Sequence, residues 1–343
     1  MSTNVFSMFG LTFKQTCLLF SMERQIVVND ITYSETQNKV DDAKLKKEWL
    51  NNWDLQINAY LKELESNDYQ LTSGIESVDA QKLYNSIKDE SNNLTWKYLI
   101  LLETVLFNPY FPLKEIEDKG FWNKIKENFN QLSLKKDSRT FSLNNIARIL
   151  EIDLSYIDKF QKRYDASLNK ISGKWSKIAI GIGTGVIVTT SVILFFINPI
   201  AGSMAAAKGL SGIAAFNAGM AALGGGAIAA GGFGVVGGIT VLVGGAMVLG
   251  GTTGALIGAI ASNPKIMMTE IAKIEVVLKE IVLGVQKDTK LFQEILHQLI
   301  NNENEMKMEI ERLKVDVESN KEKIKNLEEA VKYLERGIDE LRK

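Results

Sequence analysis

The sequence predicts an all-α protein: a helical bundle carrying a long Gly/Ala-rich hydrophobic hairpin and ending in a C-terminal coiled-coil helix. Three observations predict it. Apolar residues in the charged parts recur at three- and four-residue steps, the spacing of one helix face. Between Lys177 and Lys265 the only charged side chain in 87 residues is Lys208, and 21 of the chain's 27 glycines lie there. From Ile310 to Leu341 the apolar positions follow a heptad. The expected organisation is therefore a 1–35 N-terminal segment, a 36–177 helical domain, a 178–264 membrane-inserting region and a 265–343 long C-terminal helix.

The N-terminal 25 residues are moderately apolar, but no basic residue precedes the apolar part and Lys14 interrupts it. These features argue against a cleaved export signal and leave Met22 open as an alternative start. The segment QIVVNDITYS is expected to form a small hairpin around Asn29 and Asp30. Trp49, Trp53, Ile57, Tyr60, Leu61 and Leu64 then share one helix face, and Leu83, Ile87, Leu94, Tyr98, Leu101 and Leu102 form a second stripe that ends before Pro109 and Pro112. A third helical run from about Phe121 to Leu132 leads into LSLKKDSRTFS, which reads as a polar linker.

The next stripe is Ile157, Phe160, Tyr164, Leu168, Ile171 and Trp175. Lys159, Lys162, Arg163, Lys170, Lys174 and Lys177 occupy its other faces, so the helix approaches the uncharged block with a basic collar. Lys170, Lys174, Trp175, Lys177 and, beyond the block, Lys265 are the expected interfacial anchors. A bundle helix with a solvated basic face would share this pattern.

The run from Ala179 to Ile197 is long enough to span a hydrocarbon layer of about 30 Å as a helix. A second uncharged run, after Lys208 and up to Pro264, has room for two further spans or for one span and a re-entrant hairpin. An even number of spans places both charged arms on the cytoplasmic side, where the flanking lysines belong.

Within the block, Gly232-x-Gly234-x-x-Gly237 matches a dinucleotide-binding pattern. That site also requires an acidic residue about 20 positions on. No Asp or Glu occurs between Asp165 and Glu270, and no Gly-Lys-Ser or Gly-Lys-Thr occurs anywhere. The glycines instead suit close helix packing in lipid: Gly181 with Gly185, Gly234 with Gly238, Gly250 with Gly254, and Gly254 with Gly258. So many glycines weaken a helix and make the block pliable. It is therefore suited either to packing in a soluble bundle and later rearranging into a bilayer, or to a static hairpin.

In the C-terminal heptads Ile310, Val317, Ile324, Val331 and Ile338 hold one core position, and Leu313, Asn320, Leu327, Leu334 and Leu341 the other. β-Branched residues at a with leucine at d favour a parallel dimer, in which Glu309 faces Lys314, Asp316 faces Lys321 and Lys323 faces Glu328. The same stripe serves equally for packing within one chain.

Forty basic residues against forty-one acidic ones exclude a strong attraction to nucleic acid. A single cysteine, Cys17, and a single histidine, His297, allow neither a disulfide framework nor a Cys/His metal site within the chain. No catalytic triad or cofactor site is legible.

The order of parts resembles the α-helical pore-forming proteins. The stretch GLSGIAAFNAGMAALGGGAIAAGGFGVVGGITVLVGG (209–245) resembles a Gly/Ala-rich membrane segment of bacterial antiphage-type effectors. The second resemblance implies a protein held inactive in the cell until an infection signal releases it. The leading expectation from the residues is a non-catalytic effector that perturbs a bilayer, with a lipid bilayer, further copies of the chain through the C-terminal helix and a protein trigger as its partners. The alternative is a membrane-anchored coiled-coil scaffold or sensor.

Overall fold

The computed structural model describes residues 8–64, 71, 73–90, 94–111, 129, 131–172, 239–250, 260–261 and 263–343. The described chain is all-α apart from two short strands, β1 (Gly10–Thr12) and β2 (Ile239–Leu242). It divides into two compact units. One comprises residues 11–158; the other comprises 8–10, 159–172 and the described part of 239–343.

In the first unit the long helix α1 (Phe13–Thr36) is built from the stretch expected to be an N-terminal segment and hairpin. Thr12 starts it with a capping box. Its Oγ1 accepts from the Gln15 backbone N–H at 3.4 Å and its own N–H donates to Gln15 Oε1 at 2.9 Å. Cys17, Leu18, Leu19, Phe20, Met22, Ile26 and Val27 are all buried, so α1 is a core helix along most of its length and the candidate start Met22 lies inside it.

Asn29 and Asp30 form no turn because both have partners within the helical packing. Asn29 Nδ2 donates to Ser142 Oγ at 2.9 Å. Asp30 accepts from Lys46 Nζ at 2.5 Å, Tyr110 Oη at 2.6 Å and the Lys135 backbone N–H at 2.9 Å. The chain reverses instead at Asn38, whose φ is +55°.

Helix α2 (Val40–Leu64) carries the aromatic stripe as expected: Trp49, Trp53, Ile57, Tyr60 and Leu61 are buried. Trp53 and Tyr60 each meet Phe20 edge-on, at centroid distances of 6.3 and 6.0 Å. The second stripe is two helices rather than one, α3 (Ala80–Ile87) and α4 (Thr95–Leu106). Leu94, expected in the stripe, lies between them and is exposed. Sequence DESNN precedes it, and Ser, Asn and Asp favour hydrogen bonds that compete with helix.

The expected polar linker is also corrected. Residues from Lys136 onward form α5 (Lys136–Ile149), with Leu143, Ile146 and Ala147 buried and Ser142 Oγ donating to the Ser138 carbonyl at 2.8 Å. Helix α6 (Ser155–Ser172) buries Phe160, Tyr164, Leu168 and Ile171 on one stripe, as expected.

In the second unit the single C-terminal helix expected over 265–343 is broken. Helix α7 (Lys265–Val276) runs into a π-helix (Val277–Gln286), which ends at Lys287 with φ +56°. Asp288 caps α8 (Thr289–Leu313), a short 3-10 turn follows at Lys314–Asp316, and Asp316 caps α9 (Val317–Leu341).

Lys307 of α8 pairs with Glu335 at 2.7 Å, whereas Lys314 of the following turn pairs with the earlier Glu328 at 3.6 Å, so α8 and α9 run antiparallel. The heptad residues Ile310, Ile324, Leu327, Val331, Leu334, Ile338 and Leu341 are buried within this one chain. Leu313 and Asn320 are half-buried, and Val317 near the turn is 51% exposed. A seam of Ile, Val and Leu carries no mark of which chain will cover it, and here the partner is intramolecular. His297 is exposed.

Candidate functional site

Part of the uncharged block is packed inside the second unit, and this seat is the candidate site. Gly244 and Gly245 have φ of +68° and +88° and turn the chain between β2 and a 3-10 helix (Ala246–Gly250). A Cβ on Gly245 would lie 2.3 Å from the Glu270 carbonyl oxygen and 2.7 Å from Ile274 Cγ1. Only glycine allows the turn to sit this close to α7. Around it Val243, Ala246, Val248 and Leu249 are buried, as are Ile260 and Ala261 further on.

Backbone polar groups of a buried irregular segment need partners. Two asparagines supply them. Asn302 of α8, itself buried, donates Nδ2–H to the Val248 carbonyl at 2.6 Å, and Asn326 of α9 donates to the Ala261 carbonyl at 2.7 Å. The Val243 N–H donates to the Phe9 carbonyl at 3.0 Å. Behind the seat α9 lies against α7 at Gly337, where a Cβ would fall 2.3 Å from Ile271 Cγ1.

The helix that leads into the block is clamped to the elements that follow it. Arg163 Nε and Lys159 Nζ reach the same Glu280 carboxylate, at 2.8 and 3.2 Å, and that side chain is 6% exposed. Ser167 Oγ donates to Glu275 Oε2 at 2.6 Å, and Lys170 Nζ meets Glu340 at 2.7 Å. Arg336 donates to the Ile171 carbonyl at 2.8 Å, satisfying one of the acceptors left over at the end of α6.

Residues five apart, such as Glu275 and Glu280, point roughly 140° apart on a regular α-helix. The π-helix, with its wider i→i+5 closure, brings the second carboxylate back toward α6. Glu340 is held below its ordinary carboxyl value by hydrogen bonds first from Lys170 and then from Lys343.

Of the residues singled out in the sequence, Gly181, Gly185, Gly234, Gly238, Gly254, Gly258, Lys174, Trp175 and Lys177 lie outside the described residues. Gly250 ends the 3-10 helix, and Gly254, with which it was expected to pack, lies outside the described residues. Lys170 is occupied by Glu340, and Lys265 begins α7 and is exposed.

Among the described residues no helix is long and apolar enough to cross a membrane. The sequence pattern did not point to Gly245, Asn302, Asn326, Glu275 or Glu280 as site residues. A polar residue within the apolar register of α8 was the one available signal for Asn302. The chain matches no known protein family, no curated protein and no solved structure.

Proposed function

We propose that the chain is a membrane-inserting helical effector that acts without catalysis, held here in a storage conformation. One observation carries this reading. The C-terminal part of an 87-residue stretch with a single charge is tucked beneath amphipathic helices, its turn against α7 and its carbonyls held by Asn302 and Asn326. A segment this poor in charge suits hydrocarbon better than water, and a few polar contacts are a modest restraint on its departure.

On release, residues 178–264 enter the bilayer and their glycine faces associate, with both charged arms on the cytoplasmic side. The resting protein is cytoplasmic, and a protein trigger speeds a change that the chain also undergoes more slowly by itself at a membrane. Homo-oligomerisation through Ile310 to Leu341 then requires α8 and α9 to part, since their seam is filled within the closed chain. Nucleic acid has no role, in keeping with a net charge of −1.

The test is dye entry into bacteria expressing the full chain, with membrane fractionation of the same cells. Permeabilised cells with the protein in the membrane fraction are expected. Function that survives exchange of residues 178–264 for a foreign transmembrane hairpin would instead show a tether, and would reject the effector reading.

A further inference from the structure

We infer that α6 is the element that reads an anionic lipid surface, and that Glu280 and Glu340 hold its cations until such a surface competes for them; this rests on the membrane-inserting reading above. From Lys159 to Ser172 the helix carries four cations, Lys159, Lys162, Arg163 and Lys170, against one acid, Asp165. Its opposite stripe, Phe160, Tyr164, Leu168 and Ile171, is at most 3% exposed. That combination, a basic face backed by an apolar one, is the composition of helices that lie in a bilayer interface.

The clamp geometry makes exchange feasible. The Lys159, Arg163 and Lys170 side chains keep 50%, 39% and 49% of their surface in solvent, while the Glu280 carboxylate between the first two keeps 6%. Headgroup phosphates can therefore approach the cations before the existing pairs break. Exposed ion pairs are weak in water and screened by salt, whereas a charged lipid surface offers each basic residue a favourable contact at once.

The acids respond in the opposite way. Once Arg163 and Lys159 turn to lipid, Glu280 is left as a buried charge without its α6 cations, and Glu275 loses Ser167. A buried charge that loses its partner destabilises the packing around it. Here that packing includes α7, against which the Gly245 turn is seated. Binding of α6 to the surface and loosening of the stored block are thus coupled.

The test uses the full chain with vesicles of phosphatidylcholine alone and of phosphatidylcholine mixed with phosphatidylglycerol, read by flotation across a salt series. Wild type is expected to bind the mixed vesicles, with binding falling as salt rises. Glu280→Gln with Glu340→Gln weakens the clamp and keeps every α6 cation, so half-maximal binding should need roughly tenfold less anionic lipid, a shift worth about 1.4 kcal/mol. Lys162→Gln changes one exposed side chain of α6 while the Glu280 and Glu340 pairs stay in place, and should reduce anionic binding at unchanged helical content.

Equal binding of neutral and anionic vesicles, or no shift in the Glu280→Gln/Glu340→Gln protein, overturns this inference and leaves membrane insertion standing. Failure of every variant to bind any vesicle overturns both.

Discussion

Gly245→Ala places a methyl group where the structure has none to spare. At φ +88° an L side chain costs about 1–2 kcal/mol from the left-handed backbone alone. The added Cβ would fall 2.3 Å from the Glu270 carbonyl oxygen, part of the α7 backbone and unable to rotate away. Overpacking of this kind costs roughly 1–3 kcal/mol more. Against this total of about 2–5 kcal/mol stands the burial of Val243, Val248 and Leu249, at roughly 1.5–3 kcal/mol each.

The seat therefore survives on average, but opens more often. At 1.4 kcal/mol per factor of ten, the open fraction rises roughly thirtyfold to a few thousandfold. Amide hydrogen exchange over residues 243–249 reads this directly. Gly74→Ala, with a similar φ of +77° in the other unit, is the matched comparison and should leave exchange at 243–249 unchanged. Equal exchange of wild type and Gly245→Ala at these amides would refute the close-packed seat.

Other expectations follow from the same contacts. Asn302→Ala leaves the buried Val248 carbonyl without its donor and should weaken the seat by about 1–3 kcal/mol, read as faster exchange at 246–250. Lys46→Met removes the cation of a fully buried pair while Asp30 stays, so urea unfolding should show a loss of about 3–5 kcal/mol; pairing it with Asp30→Leu should recover part of that loss.

Thr12→Ala removes the capping box of α1 and should lower stability by about 0.5–2 kcal/mol in the same assay. Because the Glu340 carboxyl titrates below its ordinary 4.5, its contribution is complete above that value and is lost as pH falls through the lowered one. Lys170→Gln should raise the Glu340 carboxyl titration, followed by side-chain NMR.

Much of the fold was legible where burial is one-sided. The stripes of α2 and α6 gave their buried faces directly, because a helix with one apolar face repeats at a fixed spacing. The helix α1 was hidden because it is buried on several faces and so lacks that repeat, and its Asn29–Asp30 pair imitates a turn until Lys46, Tyr110 and Lys135 are brought against it. Similarly, Ser138 and Ser142 made α5 resemble a linker although both are buried.

The heptads of α9 were legible as a seam. What covers them depends on Lys314–Asp316 reversing the chain, and three polar and β-branched residues in a helical pattern do not announce that. The seat for the block was the least legible part. It relies on a close backbone approach at Gly245 and on side-chain bonds to carbonyls more than 50 residues away in sequence.

Storage and release of the uncharged block are tested most directly by adding wild type and Gly245→Ala to dye-loaded anionic vesicles while exchange at 243–249 is followed in the same proteins. Dye release by wild type, faster with Gly245→Ala in step with its faster exchange, is expected. Vesicles that stay sealed with both proteins, even as the Gly245→Ala amides exchange freely, would contradict it.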